Sequence, residues 1–226
     1  MAPYLVVLYN QHLLYIIFSM KRLALLLFLL PIYLSAHPHI MLKTSLEIEY
    51  SNSICDGIWV EWEFDRFFSI SIINDFDLDK NGSFDNSEVK EIEKNAFSNL
   101  KHYGYFIYLR IGRKRYNPEK VSNFSVRLLG EKLHYRFFIT LNEQNYNDFY
   151  VSVFDPTYYC AVDYMENGVF AGQGSGSLPE LEFLENKDDP VYYNPYGTAS
   201  DMTVYTKWEP GLQTAYPKEV HVYFPK

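Results

Sequence analysis

The sequence predicts an α+β fold: a single, mainly antiparallel β domain with one EF-hand-like helix-loop-helix inserted after the first strands. Three observations carry this prediction. Apolar and polar residues alternate with a period of two in the opening segments and again after Tyr103, as half-buried strands require. Between these regions Asp77 to Glu88 reads DLDKNGSFDNSE, which fills every specified position of the calcium-loop template D-x-[DN]-x-[DN]-G-x5-E. The stretch from His37 to Lys226 has a length that one domain with a sizeable core occupies.

The chain starts with two apolar stretches, Tyr4 to Phe18 and Leu23 to Leu34, divided by Lys21 and Arg22. The second stretch has secretory-signal grammar: a basic pair, the apolar core LALLLFLL, and LSA ahead of His37. Residues 1–36 are therefore expected to form a signal-peptide region, with Met20 as the true start and cleavage after Ala36. Cleavage leaves no stable membrane span and delivers a periplasmic protein, whereas an uncleaved segment would anchor it. The mature chain then comprises 37–170, a metal-associated periplasmic domain, and 171–226, an aromatic-rich C-terminal extension of the same domain. With a net charge of -8 and no basic stripe, the chain repels phosphate backbones, so nucleic acid is excluded as a partner.

Leu42 to Tyr50 alternates cleanly, Leu42, Leu46, Ile48 and Tyr50 facing one way and Lys43, Ser45, Glu47 and Glu49 the other. Asn52 and Ser53 mark a turn, and Ile58, Val60, Trp62 and Phe64 continue as an antiparallel partner. Asp65 to Phe76 satisfies both strand and helix periodicities. A helix is expected, because Asp65 is a fitting N-cap and a calcium loop follows an entering helix. Beyond the loop, Val89, Ile92, Ala96 and Leu100 trace one helical face, and Asp85 with Glu88 has the spacing of a capping box. Strands are then expected at Tyr105 to Ile111, Val121 to Leu129, Leu133 to Leu141, Phe149 to Phe154, Tyr158 to Tyr164 and Val220 to Phe224. GQGSGS from Gly172 is read as a flexible turn and LENKDDP as a charged loop.

The loop spacing has a chemical reason. Calcium takes six to eight hard oxygens, and a tight loop turns alternate side chains inward to supply them. Asp77, Asp79 and Asn81 fill the first three ligand positions, Ser83 offers its backbone carbonyl, Asp85 binds directly or through water, and Glu88 closes the sphere. Gly82 makes the sharp turn, and Phe84 points into apolar packing. No second loop is present, so the ion is expected to be structural, with affinity in the extracellular range of roughly 10⁻⁴ to 10⁻³ M.

A mature terminus beginning His37-Pro38-His39 presents an amine and two imidazoles, which suit nickel, cobalt, zinc or copper. Pro38 has no amide proton, so the motif that deprotonates backbone amides is blocked and a brace of His37 with His39, or with His102, His134 or His221, remains. Against this stands a terminus with no metal role. His134 and His221 fall opposite the apolar faces of their strands, as exposed or edge residues do. Cys55 and Cys160 lack metal spacing; they form either a disulfide or two separate buried thiols.

AHPHI, WEFDRFFS leading into FDLDKNGSFDNSEV, and VFDPTYYCAVDY together resemble a family of uncharacterised bacterial periplasmic proteins. Its members are labelled as periplasmic components of an ABC-type transport system and often accompany nickel and cobalt permeases. The resemblance covers about His37 to Tyr164, and the tail from Ala171 departs from it. It implies an exported, metal-associated accessory protein; together with the calcium loop this gives the expectation of a calcium-binding accessory protein whose partner is a membrane metal transporter. No nucleophile motif, HExxH or phosphate loop is present, so a catalytic role is not expected, although a copper enzyme with a terminal histidine brace is conceivable. The 21 tyrosines and the run YYNPYGTASDMTVYTKWEP raise an alternative, an envelope-interaction or carbohydrate-binding module.

Overall fold

Asn52 and Ser53 both take positive φ, 50° and 62°, the geometry of the two-residue turn whose twist matches a hairpin. They join β1 (Ile40–Ser51) to β2 (Ile54–Phe64) in antiparallel register. The computed structural model describes residues 39–118, 120–141, 146–197 and 201–225. The expected signal region and His37 lie outside them. Among the described residues no helix is long and apolar enough to cross a membrane.

The hairpin is part of a five-stranded sheet. On its β2 side lie β6 (Lys132–Thr140) and β5 (Val121–Leu129), both antiparallel; on the β1 side β8 (Cys160–Gly174) runs parallel. A second five-stranded sheet is antiparallel throughout, in the order β4 (Lys114–Tyr116), β3 (Ile107–Ile111), β7 (Asp148–Val153), β12 (Lys218–Tyr223) and β9 (Glu180–Glu185). β10 (Val191–Tyr193) and β11 (Gln213–Ala215) form a separate small pair. The two large sheets bury their apolar faces in one core, with Leu46, Val60 and Phe137 from the first and Leu109, Phe149 and Val220 from the second. Burying each such side chain contributes about 1.5–3 kcal/mol. The mainly antiparallel β character expected from the alternation is thus present.

Between β2 and β3 the chain leaves the sheets. Helix α1 (Arg66–Phe76) starts at the expected N-cap, where Asp65 Oδ1 accepts from the Phe67 and Phe68 amides at 2.8 and 3.0 Å. Tertiary contacts decide the ambiguous segment in favour of helix: Ile72 enters the core, and the buried Ser69 hydroxyl accepts from the Leu133 amide of β6 at 2.9 Å. After a loop, helix α2 (Asn86–Asn95) packs Ile92 inward and passes into a 3-10 segment (Phe97–Phe106).

Several expectations are corrected. The strand expected from Tyr105 begins at Ile107, because Gly104, Tyr105 and Phe106 take left-handed φ of 61°, 52° and 58°. GQGSGS is not a flexible turn at its start: β8 extends through Gly174. A side chain at Gly172 would collide with Glu47 Cγ at 2.5 Å and one at Gly174 with Tyr50 Cε1 at 2.4 Å, so these glycines permit close approach to β1. Leu184 and Glu185 of LENKDDP belong to β9. The cysteines are free, buried thiols. Cys55 pairs with Tyr50 and Cys160 with Ile40, at opposite ends of β1. At about 3.3 Å per residue they stand roughly 30 Å apart, far beyond disulfide reach.

Candidate metal centre

The site is assembled by two helix ends. Asp77 is the C-cap of α1, donating its amide to the Ile73 carbonyl, and Asp85 is the N-cap of α2. The expected capping box is formed: Asp85 Oδ1 accepts from the Glu88 amide at 2.9 Å, and Glu88 Oε2 accepts from the Asp85 amide at 3.0 Å. Glu88 is thereby held pointing back into the loop, where its Oε1 accepts from the Leu78 amide at 2.8 Å.

The inner loop is wound by its own carboxylates. Asp77 accepts from the Asn81 amide at 3.1 Å and the Gly82 amide at 3.0 Å, and Asp79 accepts from the Asn81 amide at 3.1 Å and Nδ2 at 2.7 Å. Gly82, at φ 79°, makes the turn expected of it. Phe84 packs against the core, as its position in the template anticipates.

The result is a convergence of charge. Ligand atoms of Asp77, Asp79 and Glu88 lie within 4.8 Å of one another, and among the described residues theirs is the only such group of three or more His, Cys, Asp or Glu side chains. Asp77 and Glu88 are only 7% and 5% exposed. Neither forms an ion pair with any described Lys, Arg or His. Buried carboxylates of like charge repel, and an unpaired buried charge is costly. A divalent cation among them would turn that repulsion into attraction.

The remaining loop residues occupy different places. Asn81 Oδ1 accepts from the Ser83 amide at 2.8 Å and hydroxyl at 2.5 Å, so both sit in the wound part of the loop. Asp85 lies outside the trio. Its Oδ1 accepts from the Ser87 hydroxyl and amide and the Glu88 amide, and these bonds hold the carboxyl below the usual range.

The histidines are dispersed. His39 is exposed, donates its amide to the Tyr159 carbonyl at 2.9 Å and sets its ring 4.9 Å from that of Tyr159. His134 is not the exposed residue that its strand face suggests: it is 6% exposed, with Nδ1 2.9 Å from Glu61 Oε1 and Nε2 3.8 Å from Glu63. The alternation of Glu61 and Glu63 opposite the apolar face of β2 is the available signal for that pocket of charge. His221 stacks on Tyr150 at 4.3 Å and meets Asp148 at 2.8 Å, and His102 is exposed.

Sequence reasoning also passes over Asp155. It is 2% exposed, with Oδ1 accepting from the Thr157 amide and hydroxyl at 2.8 and 2.7 Å and Oδ2 from the Cys160 amide at 2.9 Å. Burial pushes its carboxyl up, against the pull of those donors. The Asp-Pro-Thr order is itself the signal for such a turn.

A family model described as a protein of unknown function, DUF1007, matches residues 22–224. The chain belongs to the DUF1007 family. That span includes the C-terminal extension, so the tail from Ala171 is part of the family pattern and does not depart from it. Curated relatives of this DUF1007 chain include an uncharacterized 15.5 kDa protein in the trpE 3' region of Spirochaeta aurantia. It is 28% identical over 132 residues, which cover 54% of this chain and 94% of the relative. An uncharacterized protein of Haemophilus influenzae is 27% identical over 135 residues, covering 57% of this chain and 63% of that protein. No solved structure matches.

Proposed function

We propose that this DUF1007 chain is an exported, calcium-binding accessory protein of the periplasm, associated with a membrane metal transporter. The observation that carries the calcium reading is the convergence of Asp77, Asp79 and Glu88, two of them buried and none balanced by a cationic side chain among the described residues, inside a complete calcium-loop sequence. The donor set fits the ion. Carboxylates, the Asn81 amide oxygen and the Ser83 carbonyl are all hard oxygens, and no thiol or imidazole shares the loop, so calcium is favoured over zinc or copper. The EF-hand-like reading of α1, the loop and α2 rests on the same residues.

Calcium here ties the end of α1 to the start of α2 and thus braces the helical insertion against the sheets. The transport association rests on the family resemblance and on the His37-Pro38-His39 terminus, where nickel, cobalt, zinc or copper would be held. The protein acts by holding and presenting ions, with no catalytic step.

A chelator melt tests the brace. The mature chain, loaded with calcium and then treated with a chelator, is expected to lose thermal stability and to regain it when calcium is returned. An unchanged melting curve, with no calcium, nickel, cobalt, zinc or copper found by elemental analysis of the purified chain, would overturn the reading.

A further inference from the structure

On the face of the first sheet that points away from the core, an irregularity in β8 builds one wall of a groove. Thr44 pairs with Tyr164 and Leu46 with Val169, so Ser45 alone stands against Met165 to Gly168. The surplus residues leave the pairing as a bulge, with Asn167 in the left-handed region at φ 53°. A side chain at Gly168 would meet Met165 Cβ at 2.8 Å and Ser45 Cβ at 3.2 Å, so glycine lets the bulge close down on β1. Between the bulge and β2 lies a cavity of about 280 Å³, whose walls include Ser45, Trp59, Arg136, Glu166 and Phe170.

The polar groups of this lining reach solvent and have bonding capacity left. Arg136 is held in place: Nη2 donates to Glu47 Oε2 at 2.9 Å, and the guanidinium stacks 4.5 Å from the centre of the Trp59 ring. That bond uses one of its five N–H donors, and the side chain is 35% exposed, so a fixed, planar donor group faces the groove. On the far wall Glu166 is exposed, and its carboxylate has no partner among the described residues. The half-buried Ser45 hydroxyl is likewise free among them. Phe170, 45% exposed, adds an aromatic ring to the same wall as Glu166.

The arrangement of charge selects the ligand. A carboxylate or phosphate approaching Arg136 would meet Glu47 at 2.9 Å and Glu61 at 4.0 Å from the same guanidinium, and both repel it. A cation would be repelled by Arg136 and drawn only to the exposed Glu166, where an ion pair contributes little. A hydroxyl both donates and accepts and carries no charge to desolvate. Neighbouring hydroxyls on a ring with an apolar C–H face therefore match a donor wall, an acceptor wall and an aromatic ring.

We propose that this groove binds a neutral sugar. One pyranose ring packs on Phe170, its hydroxyls accepting from Arg136 and donating to Glu166 and Ser45. The site uses no tyrosine of the C-terminal run, and it is independent of the calcium loop.

Methyl glycosides of glucose, galactose and mannose are suitable probes, titrated into the full chain and followed by amide NMR. Leucine, methyl glucuronide and cyclohexylammonium stand beside them as a zwitterion, an anion and a cation. At least one neutral glycoside is expected to cause saturable shifts at Ser45, Asn167 and Phe170, with none at Asp77 to Glu88, and each charged probe to bind more weakly than that glycoside. Phe170→Ala should weaken glycoside binding about fivefold, the worth of one aromatic contact. No saturable shift with any of the three glycosides, a charged probe binding as tightly as the best of them, or unchanged binding by a folded Phe170→Ala would overturn the proposal. The comparison of probes uses the unaltered chain, so it tests the site whether or not the variant folds.

Discussion

Replacing Asp65 by alanine removes one carboxylate that serves three backbone amides in two elements. Oδ1 caps α1 through Phe67 and Phe68, and Oδ2 accepts from the Met41 amide of β1 at 2.8 Å. Loss of such a cap costs about 1–2 kcal/mol. The Met41 bond is solvent-exposed, so water replaces it in part and its loss adds roughly 0.5–1 kcal/mol. The backbone bond from the Asp65 amide to the Met41 carbonyl at 2.9 Å survives the change. The sum, about 2 kcal/mol, corresponds to a fall in Tm of roughly 4–8 °C for a domain of this size. Urea denaturation of wild type, Asp65→Ala and Asp65→Asn measures it. Asparagine caps nearly as well and should restore more than half of the loss. Stability of Asp65→Ala within about 0.5 kcal/mol of wild type would show that α1 is held by packing alone.

Glu219, 1% exposed, is pushed up by burial but pulled further down by the Arg110 guanidinium, with Asn186 and Arg115 also bonded to it, so its carboxyl lies below the usual range. The resulting stability is complete above the unfolded value near pH 4.3 and is lost as pH falls through the lower folded value. Glu219→Gln should cost about 3 kcal/mol at neutral pH and flatten that acid limb in denaturation measured across pH; an undiminished limb would contradict the assignment. Cys55, whose thiol burial pushes up to about 12, and Cys160 should ignore a thiol reagent in the native state and both react after unfolding without reductant. A count of zero thiols in that titration would mean that they are joined. Glu88→Gln keeps an acceptor for the Leu78 or Asp85 amide but removes a ligand charge. It should therefore lose less than about 1 kcal/mol in chelator, where wild type and variant melt close together, yet fail to gain stability on adding calcium.

How much of this is legible in the sequence varies with how local the cause is. The β1–β2 hairpin, the Asp65 cap and the Asp85–Glu88 capping box depend on residues a few positions apart, and each is present where the pattern places it. β8 reads as too short because Gly172 and Gly174 signal a turn when taken alone, whereas their reason is room for Glu47 and Tyr50 on another strand. His134 reads as exposed because strand parity reports a face, and the acidic and basic side chains that cover that face come from β2 and β5. The loop is the mixed case: the template names every ligand candidate, but only the fold shows that Asp77, Asp79 and Glu88 converge and that Asp85 Oδ1 caps α2.

The central claim is that those three carboxylates hold a calcium ion. Equilibrium dialysis of the mature chain against radioactive calcium, with Glu88→Gln alongside, measures this most directly. One ion per wild-type chain is expected, with Kd of roughly 10⁻⁴ to 10⁻³ M, and at least tenfold weaker uptake by the variant. Uptake by wild type no greater than by the variant, at calcium up to several times about 10⁻³ M, would contradict the account.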